Sequence, residues 1–463
     1  MKKLILLAVA ALMLNSTVLA QDFTPSFKYR ITLKDKKHNP YSLSRPEEFL
    51  SKKSIERRTK QGLKLDETDL PVSPEYLSEI RATGAIVCST SKWNNTVLVE
   101  LTDTSKAVVM LRNLTFVSSV RKVATYMEAP SRNKTNRFRL ISEKNINESD
   151  AIHNSSEEWL DSEYYGEGFT QINQLNGISL HRRGFRGAGM TIAIIDGGFY
   201  NADIIPMLKN VNILGVADFA ERGTNVYEEG SHGMMVLSCM ATNHPGTFVG
   251  TAPEASYWLI RSEDSYSEQM AEEDNWCAAV EFADSVGADL VNTSLGYSKY
   301  DNEADNVRYW EMDGHKRLCS NSASMLAGKG MVLCNSAGNE ASKTWKLISI
   351  PADADDVLTV GAVRSNGINT NFSSLGNSAD GRIKPDVMAM GEACTVLSTR
   401  GELTTASGTS FASPIMCGMV ACFWQANPKL TALEVVQKVR LLGDNVAHPD
   451  NVFGYGIPDF SKK

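Results

Sequence analysis

Residues 190–198 read MTIAIIDGG. Ile192 to Ile195 form an unbroken apolar run with no polar alternation. A strand of that kind is buried on both faces, as in a parallel sheet covered by helices on each side. Four more runs of the same character follow: SYWLIR (256–261), DLVNTSLG (289–296), MVLCNSAG (331–338) and VLTVGAV (357–363). Helical stretches lie between them, among them AEEDNWCAAVEFADSVG (271–287) and HKRLCSNSASMLAGKG (315–330). Strands alternating with helices predict an α/β fold with a doubly wound, mostly parallel sheet. In such sheets the working residues collect at the carboxyl ends of strands. Asp196 stands at one of those ends, before Gly197 and Gly198.

The rest of the chain divides around this unit. Lys2 and Lys3, the apolar run Leu4 to Leu14, and Val18-Leu19-Ala20 make the pattern of a signal peptide over 1–20. Its apolar stretch is too short for a stable membrane span, and Gln21 in place of Cys gives no site for a lipid anchor. From 21 to 126 the signals are those of a small ferredoxin-like α+β unit: the strand YRITLKD, one helix from Pro46 to Gly62, a second in SPEYLSEIRATG, paired strands AIVCSTS and NTVLVEL, a helix in DTSKAVVMLRN and a closing strand TFVSSVRKV. From 127 to 165 the chain is polar and aperiodic, as a linker is. The α/β unit is expected over 166–463.

Composition narrows the function. The chain has 463 residues, 42% hydrophobic and 22% charged, with a formal net charge of −7. No basic block recommends a nucleic-acid partner. Eight cysteines with no CxxC spacing support neither a zinc site nor a disulfide scaffold. The acidic run Glu263, Asp264, Glu268, Glu272, Glu273 and Asp274 reads as a solvated helix face, and DADD (353–356) as a polar turn. No metal ligand is assigned.

Two further stretches carry chemistry. GSHGMMVLSCMATN (230–243) sets His232 in the first turn of a helix that Ser231 would cap. GTSFASP (408–414) sets Ser410 at the start of a long apolar helix, where the dipole favours developing negative charge. Pro414 fits there if it lies in the first turn, which has no N–H bonds to lose. Asn339, in NSAGNE, offers a side-chain amide beside Gly338. Singly, each has an ordinary structural explanation. Their chain order, Asp196, His232, Asn339, Ser410, resembles that of the subtilisin-like serine proteases. IAIIDGG, SHGMMV, VNTSLG, NSAGNE and GTSFASP resemble the family's motifs, with Phe411 where methionine is usual, and GTAPEA, KPDVMAMG and FGYGIPD resemble further landmarks.

The resemblance implies a secreted serine endopeptidase made as a self-processing zymogen. Asp196, His232 and Ser410 would form the triad, Asn339 would help hold the oxyanion, and Ser294, Leu295, Gly296 and Gly338 would bind substrate. The 21–126 unit would be the inhibitory propeptide, with its tail near RKVATY in the cleft. The expected partners are peptide or protein substrates and that propeptide, in the periplasm or outside the cell. Many family members use calcium for stability, but its ligands are unknown here. Glu340, beside Asn339, suggests either a mild preference for basic or polar residues before the cut bond or a plain solvated surface glutamate. The rival readings are a peptide-binding pseudoprotease, which four intact positions argue against, and an esterase, which would need a GxSxG elbow the chain lacks.

Overall fold

The computed structural model describes residues 25–102, 104–127, 160–221 and 223–462. The expected signal peptide and most of the expected linker lie outside those residues. The first unit runs β1 (Ser26–Leu33), α1 (Lys52–Lys60), α2 (Pro74–Ala82), β2 (Ile86–Ser91), β3 (Thr96–Leu101), α3 (Thr104–Asn113) and β4 (Val117–Tyr126). Its strands pair antiparallel in the order β2–β3–β1–β4, the split βαβ arrangement. Ile31, Val97, Val99 and Leu111 close its core. The single helix expected from Pro46 to Gly62 is interrupted. A 3₁₀ turn covers Pro46–Glu48, and α1 restarts at a cap where Ser51 Oγ accepts the Ser54 N–H at 3.2 Å.

The second unit begins with short helices α4 (Asp161–Tyr165), α5 (Phe169–Asn173) and α6 (Ile178–Arg182). Then come β5 (Thr191–Asp196), β6 (Asn212–Asp218), α7 (His232–Ala241), the small hairpin β7 (Asn243–His244) and β8 (Phe248–Val249), β9 (Ser256–Arg261), α8 (Ala271–Val286), β10 (Leu290–Thr293), α9 (Leu318–Met325), β11 (Val332–Ser336), β12 (Leu358–Val363) and β13 (Val387–Met390). A second hairpin, β14 (Cys394–Leu397) with β15 (Leu403–Ala406), precedes α10 (Thr409–Ala426) and α11 (Ala432–Leu441). Seven strands make one sheet in the order β13–β12–β11–β10–β5–β9–β6, every pairing parallel. The fold is the expected doubly wound α/β sheet behind a smaller α+β unit.

The apolar runs are continuous because alternate residues feed different layers. Ile192 and Ile194 pack into the layer of α7, α10 and α11. Ala193 and Ile195 pack into the layer of α8 and α9. From β5 the chain crosses to the edge strand β6, returns to β9 beside β5, and then steps outward from β10 through β13 on the other side. The crevice between β5 and β10 is therefore the switch point, where sheets of this type place their sites. Register keeps the strand ends level there, with Thr293 beside both Ile195 and Asn335.

The α+β unit sits on the α8 side, and Trp93, Leu98, Val123 and Ala124 join the α8 layer. The RKVATY stretch forms the end of β4, packed against the second unit, and the tail expected in the cleft beyond it lies outside the described residues. The acidic run is not a solvated face either: Glu272, Glu273 and Asp274 are buried. Arg30 forks onto Asp274 at 2.8 and 2.6 Å. Asp284, farther along α8, accepts Arg57 at 2.5 Å, Arg58 at 2.8 Å and Lys92 at 3.1 Å, all buried. Burial opposes the Asp284 charge, but the three cations outweigh it and hold its carboxyl well below the usual range. Asp284→Ala leaves those cations without their anion. In a Ser410→Ala background it is expected to lower the unfolding free energy by about 3–5 kcal/mol, read by urea denaturation. A loss under about 1 kcal/mol, the worth of an exposed pair, would contradict the assignment.

Candidate active site

Asp196 is the last residue of β5 and fully buried. The Gly197 N–H donates to its Oδ1 at 2.8 Å. His232 opens α7, and its Nδ1 lies 2.9 Å from Oδ1 and 3.0 Å from Oδ2 of Asp196. Ser231 holds the N-cap position but makes no capping bond through its side chain. The approach of helix to strand is set by Gly233 instead. A Cβ there would fall 2.6 Å from the Gly198 carbonyl oxygen and 2.8 Å from Asp196 Cβ. Burial alone would lower the imidazole pKa, but the Asp196 carboxylate reverses the sign and raises it above 6.5.

Ser410 is the second residue of α10. Pro414 lies inside this helix and not in its first turn, so it removes the N–H that would bond the Ser410 carbonyl. The freed carbonyl accepts the Ser294 hydroxyl at 2.8 Å. The Ser410 hydroxyl in turn points to the Ser294 carbonyl at 3.4 Å, so in this rotamer it is not bonded to His232. Asn339 follows β11. Its Oδ1 accepts the Thr409 N–H at 2.9 Å and the Thr409 hydroxyl at 3.1 Å. A backbone N–H can only donate, which fixes the amide and leaves Nδ2 as its outward donor. Gly338 has φ +105°, and a Cβ there would meet Ser374 Oγ at 2.8 Å. The Ser294–Ser410 exchange and the Thr409 clamp were not legible in the sequence, because the partners stand 116 and 70 residues apart.

Asp196, His232, Ser294, Leu295, Gly296, Gly338, Asn339 and Ser410 line one cavity of about 620 Å³. Glu340 lines it too, but its carboxylate is paired with Lys343 Nζ at 2.8 Å. That pairing weakens the case for Glu340 as a selector of basic residues. Asp353, read as part of a polar turn, is buried and accepts Gly314 N–H at 2.8 Å and Ser320 Oγ at 2.6 Å. All eight cysteines are free thiols. Among the described residues, no three histidine, cysteine, aspartate or glutamate side chains are arranged to hold a metal ion, and no helix is long and apolar enough to cross a membrane.

A parallel sheet with its cleft at the switch point, an aspartate-bound histidine and a helix-start serine is the architecture of the subtilisin-like serine proteases. Residues 187–456 match the Subtilase family, and residues 28–138 match the Peptidase S8 propeptide domain of Bacteroidota. The chain belongs to the subtilase family, as a serine endopeptidase with a propeptide domain. Subtilisin NAT of Bacillus subtilis subsp. natto is 27% identical over 289 residues, covering 62% of this chain and 68% of its own. Serine protease AprX of Bacillus subtilis (strain 168) is 28% identical over 304 residues, covering 58% of this chain and 65% of its own. A crystal structure of MycP1 with its N-terminal propeptide removed shares the fold at a TM-score of 0.50 and 22% identity, over 63% of this chain and 94% of that one.

The Ser294 contact has a direct test. Ser294→Ala strips the Ser410 carbonyl of its remaining side-chain donor and is expected to cost about 1–3 kcal/mol of stability. Adding Pro414→Ala restores the helical N–H, so the double variant is expected to recover part of that loss in thermal unfolding. Strictly additive losses would contradict the exchange.

Proposed function

We propose that Asp196, His232 and Ser410 are the catalytic triad of this protease. The observation that carries the reading is the Asp196 carboxylate on His232 Nδ1, both oxygens within 3.0 Å. It fixes the tautomer with the proton on Nδ1 and leaves Nε2 as the basic nitrogen. A turn about the Ser410 Cα–Cβ bond, giving up a weak 3.4 Å contact, directs the hydroxyl toward Nε2. His232 takes the proton as Ser410 Oγ attacks the peptide carbonyl, then delivers it to the leaving amine. Water hydrolyses the resulting acyl-enzyme by the same route. Asn339 Nδ2 and the Ser410 N–H hold the oxyanion at the positive end of α10. Ser294, Leu295 and Gly296 pair with the substrate backbone as an added strand, with Gly338 leaving room beside it.

The chain is an exported zymogen in this reading. Residues 1–20 are the signal peptide, 21–126 the inhibitory propeptide, 127–165 the processing region and 166–463 the catalytic domain. Its substrates are peptides or proteins in the periplasm or outside the cell.

Three outcomes follow. Purified wild type is expected to cut itself between Tyr126 and Tyr165, while Ser410→Ala stays full length by intact mass; identical trimming of both, in a host without other proteases, would contradict self-processing. The base must be neutral to work, and Asp196 raises its pKa. So kcat/KM is expected to fall as pH drops, with its half-point above 6.5. Asp196→Asn removes the charge that raises it, moving that limb downward and lowering kcat by roughly 10⁴-fold. Asn339→Ala is expected to lower kcat by roughly 10²–10³-fold, the loss subtilisin suffers without its own asparagine.

A further inference from the structure

The cavity that holds Ser410 and His232 has a second end. Its wall there carries Glu263, Asp264, Glu268, Glu272 and Asp301. Glu263 follows β9 and Glu272 opens α8, so both stand on the sheet and its helix layer. Neutral donors hold them in place. Tyr297 Oη donates to Glu263 at 2.5 Å and Ser262 Oγ donates to it at 2.8 Å. Glu272, only 2% exposed, accepts the Asp264 N–H at 2.9 Å and the Gln269 N–H at 3.2 Å. Asp301 accepts Gln269 Nε2 at 2.9 Å.

What distinguishes this wall is that several carboxylates crowd together without a countercharge. Four buried carboxylates elsewhere meet a guanidinium or ammonium: Asp274 with Arg30, Glu273 with Arg317, Asp284 with Arg57, Asp386 with Lys384. Glu281 and Asp353 are buried on neutral donors, like the wall residues, but each stands apart from the cleft. Among the described residues, the five wall carboxylates form no ion pair with lysine, arginine or histidine, and they do not make a metal-binding group. Burial, with smaller repulsion from neighbours, lifts Glu263 to about 8 and raises Glu272 above the usual carboxyl range, the direction for carboxyls short of positive charge. An apolar side chain entering here would strip water from carboxylates and give nothing back. An ammonium or guanidinium would pair with them.

Two separate observations point to a peptide as the carrier of that cation. Tyr297, which anchors Glu263, directly follows Gly296, so the wall adjoins the segment assigned to pair with substrate. The chain itself also leaves β4 beside the wall, where Tyr126 and Asp264 share one recess. The residues that come next in sequence, 128–139, carry Arg132, Lys134, Arg137 and Arg139 against Glu128 alone.

We propose that this wall is a cation-selecting subsite, which receives lysine or arginine side chains of the peptide strand lying along Ser294–Gly296. The proposal rests on the protease reading above and names its substrate class: peptides with basic residues near, but not at, the cut bond. Such pairs gain from a partly buried, low-dielectric setting far more than surface pairs do.

The test is a set of peptides differing only by lysine or norleucine at each position flanking the cut bond, measured with the full-length, self-processed enzyme. A preference for lysine on the order of tenfold in kcat/KM is expected at one or more positions beyond the first. Glu268 is exposed and Glu268→Lys is expected to fold; it should invert the order, so that glutamate peptides outrun lysine peptides. Asp264→Asn should lower the lysine-to-norleucine ratio without inverting it. A ratio within about twofold of unity at every position in the wild type, or an unchanged ratio in Glu268→Lys, overturns the subsite while leaving the protease intact. Failure to cut any peptide overturns the protease reading and the subsite with it.

Discussion

One contact organises the second unit: the Asp196 carboxylate against the His232 imidazole. It needs a strand that ends flush with its neighbours and a helix that starts almost on top of that strand. The register of β5 between β9 and β10 meets the first need. Gly233 meets the second, since any side chain there would collide with the Gly198 carbonyl and with Asp196 itself. Ser294 and Asn339 follow the next two strands, β10 and β11, and so arrive at the same rim. Ser410 comes from the opposite direction, on α10, whose Pro414 frees the carbonyl that Ser294 then captures. Five separated segments thus meet because a parallel sheet aligns its carboxyl ends.

The propeptide domain is held by a different kind of force. Its own core is apolar, but its seat on α8 mixes Trp93, Leu98 and Val123 with buried charges on both sides. Asp274 and Asp284 are costly to bury alone, and each is matched by cations from the first unit. The arrangement ties the stability of α8 to the presence of that unit. It also places the start of α8, with Glu272, at the edge of the cleft, so the same helix serves the interface at one face and the cleft at its first turn.

Much of this was legible in the sequence where a residue's environment is local. Thr191–Asp196, Ser256–Arg261, Leu290–Thr293, Val332–Ser336 and Leu358–Val363 are buried on both faces, and continuous apolar runs report that directly. The edge strand Asn212–Asp218 exposes Leu214 and Val216, which breaks the pattern, and Val387–Met390 is too short to stand out. The positions of Asp196, His232, Asn339 and Ser410 were legible from chain order and motif resemblance. Their supports were not. Pro414 looked like a first-turn proline because nothing nearby reveals where a carbonyl finds its donor. Glu273 and Asp274 looked solvated because their partners, Arg317 and Arg30, lie on other segments of the chain.

The central claim is that one hydroxyl, Ser410 Oγ, is made nucleophilic by an imidazole that Asp196 holds. The most direct measurement is to react the protein with a fluorophosphonate and locate the adduct by peptide mass mapping, at neutral pH and again well below the His232 pKa. The account requires a single adduct on Ser410, formed quickly at neutral pH and slowly in acid. No adduct, an adduct on another residue, or labelling that is indifferent to pH would contradict it.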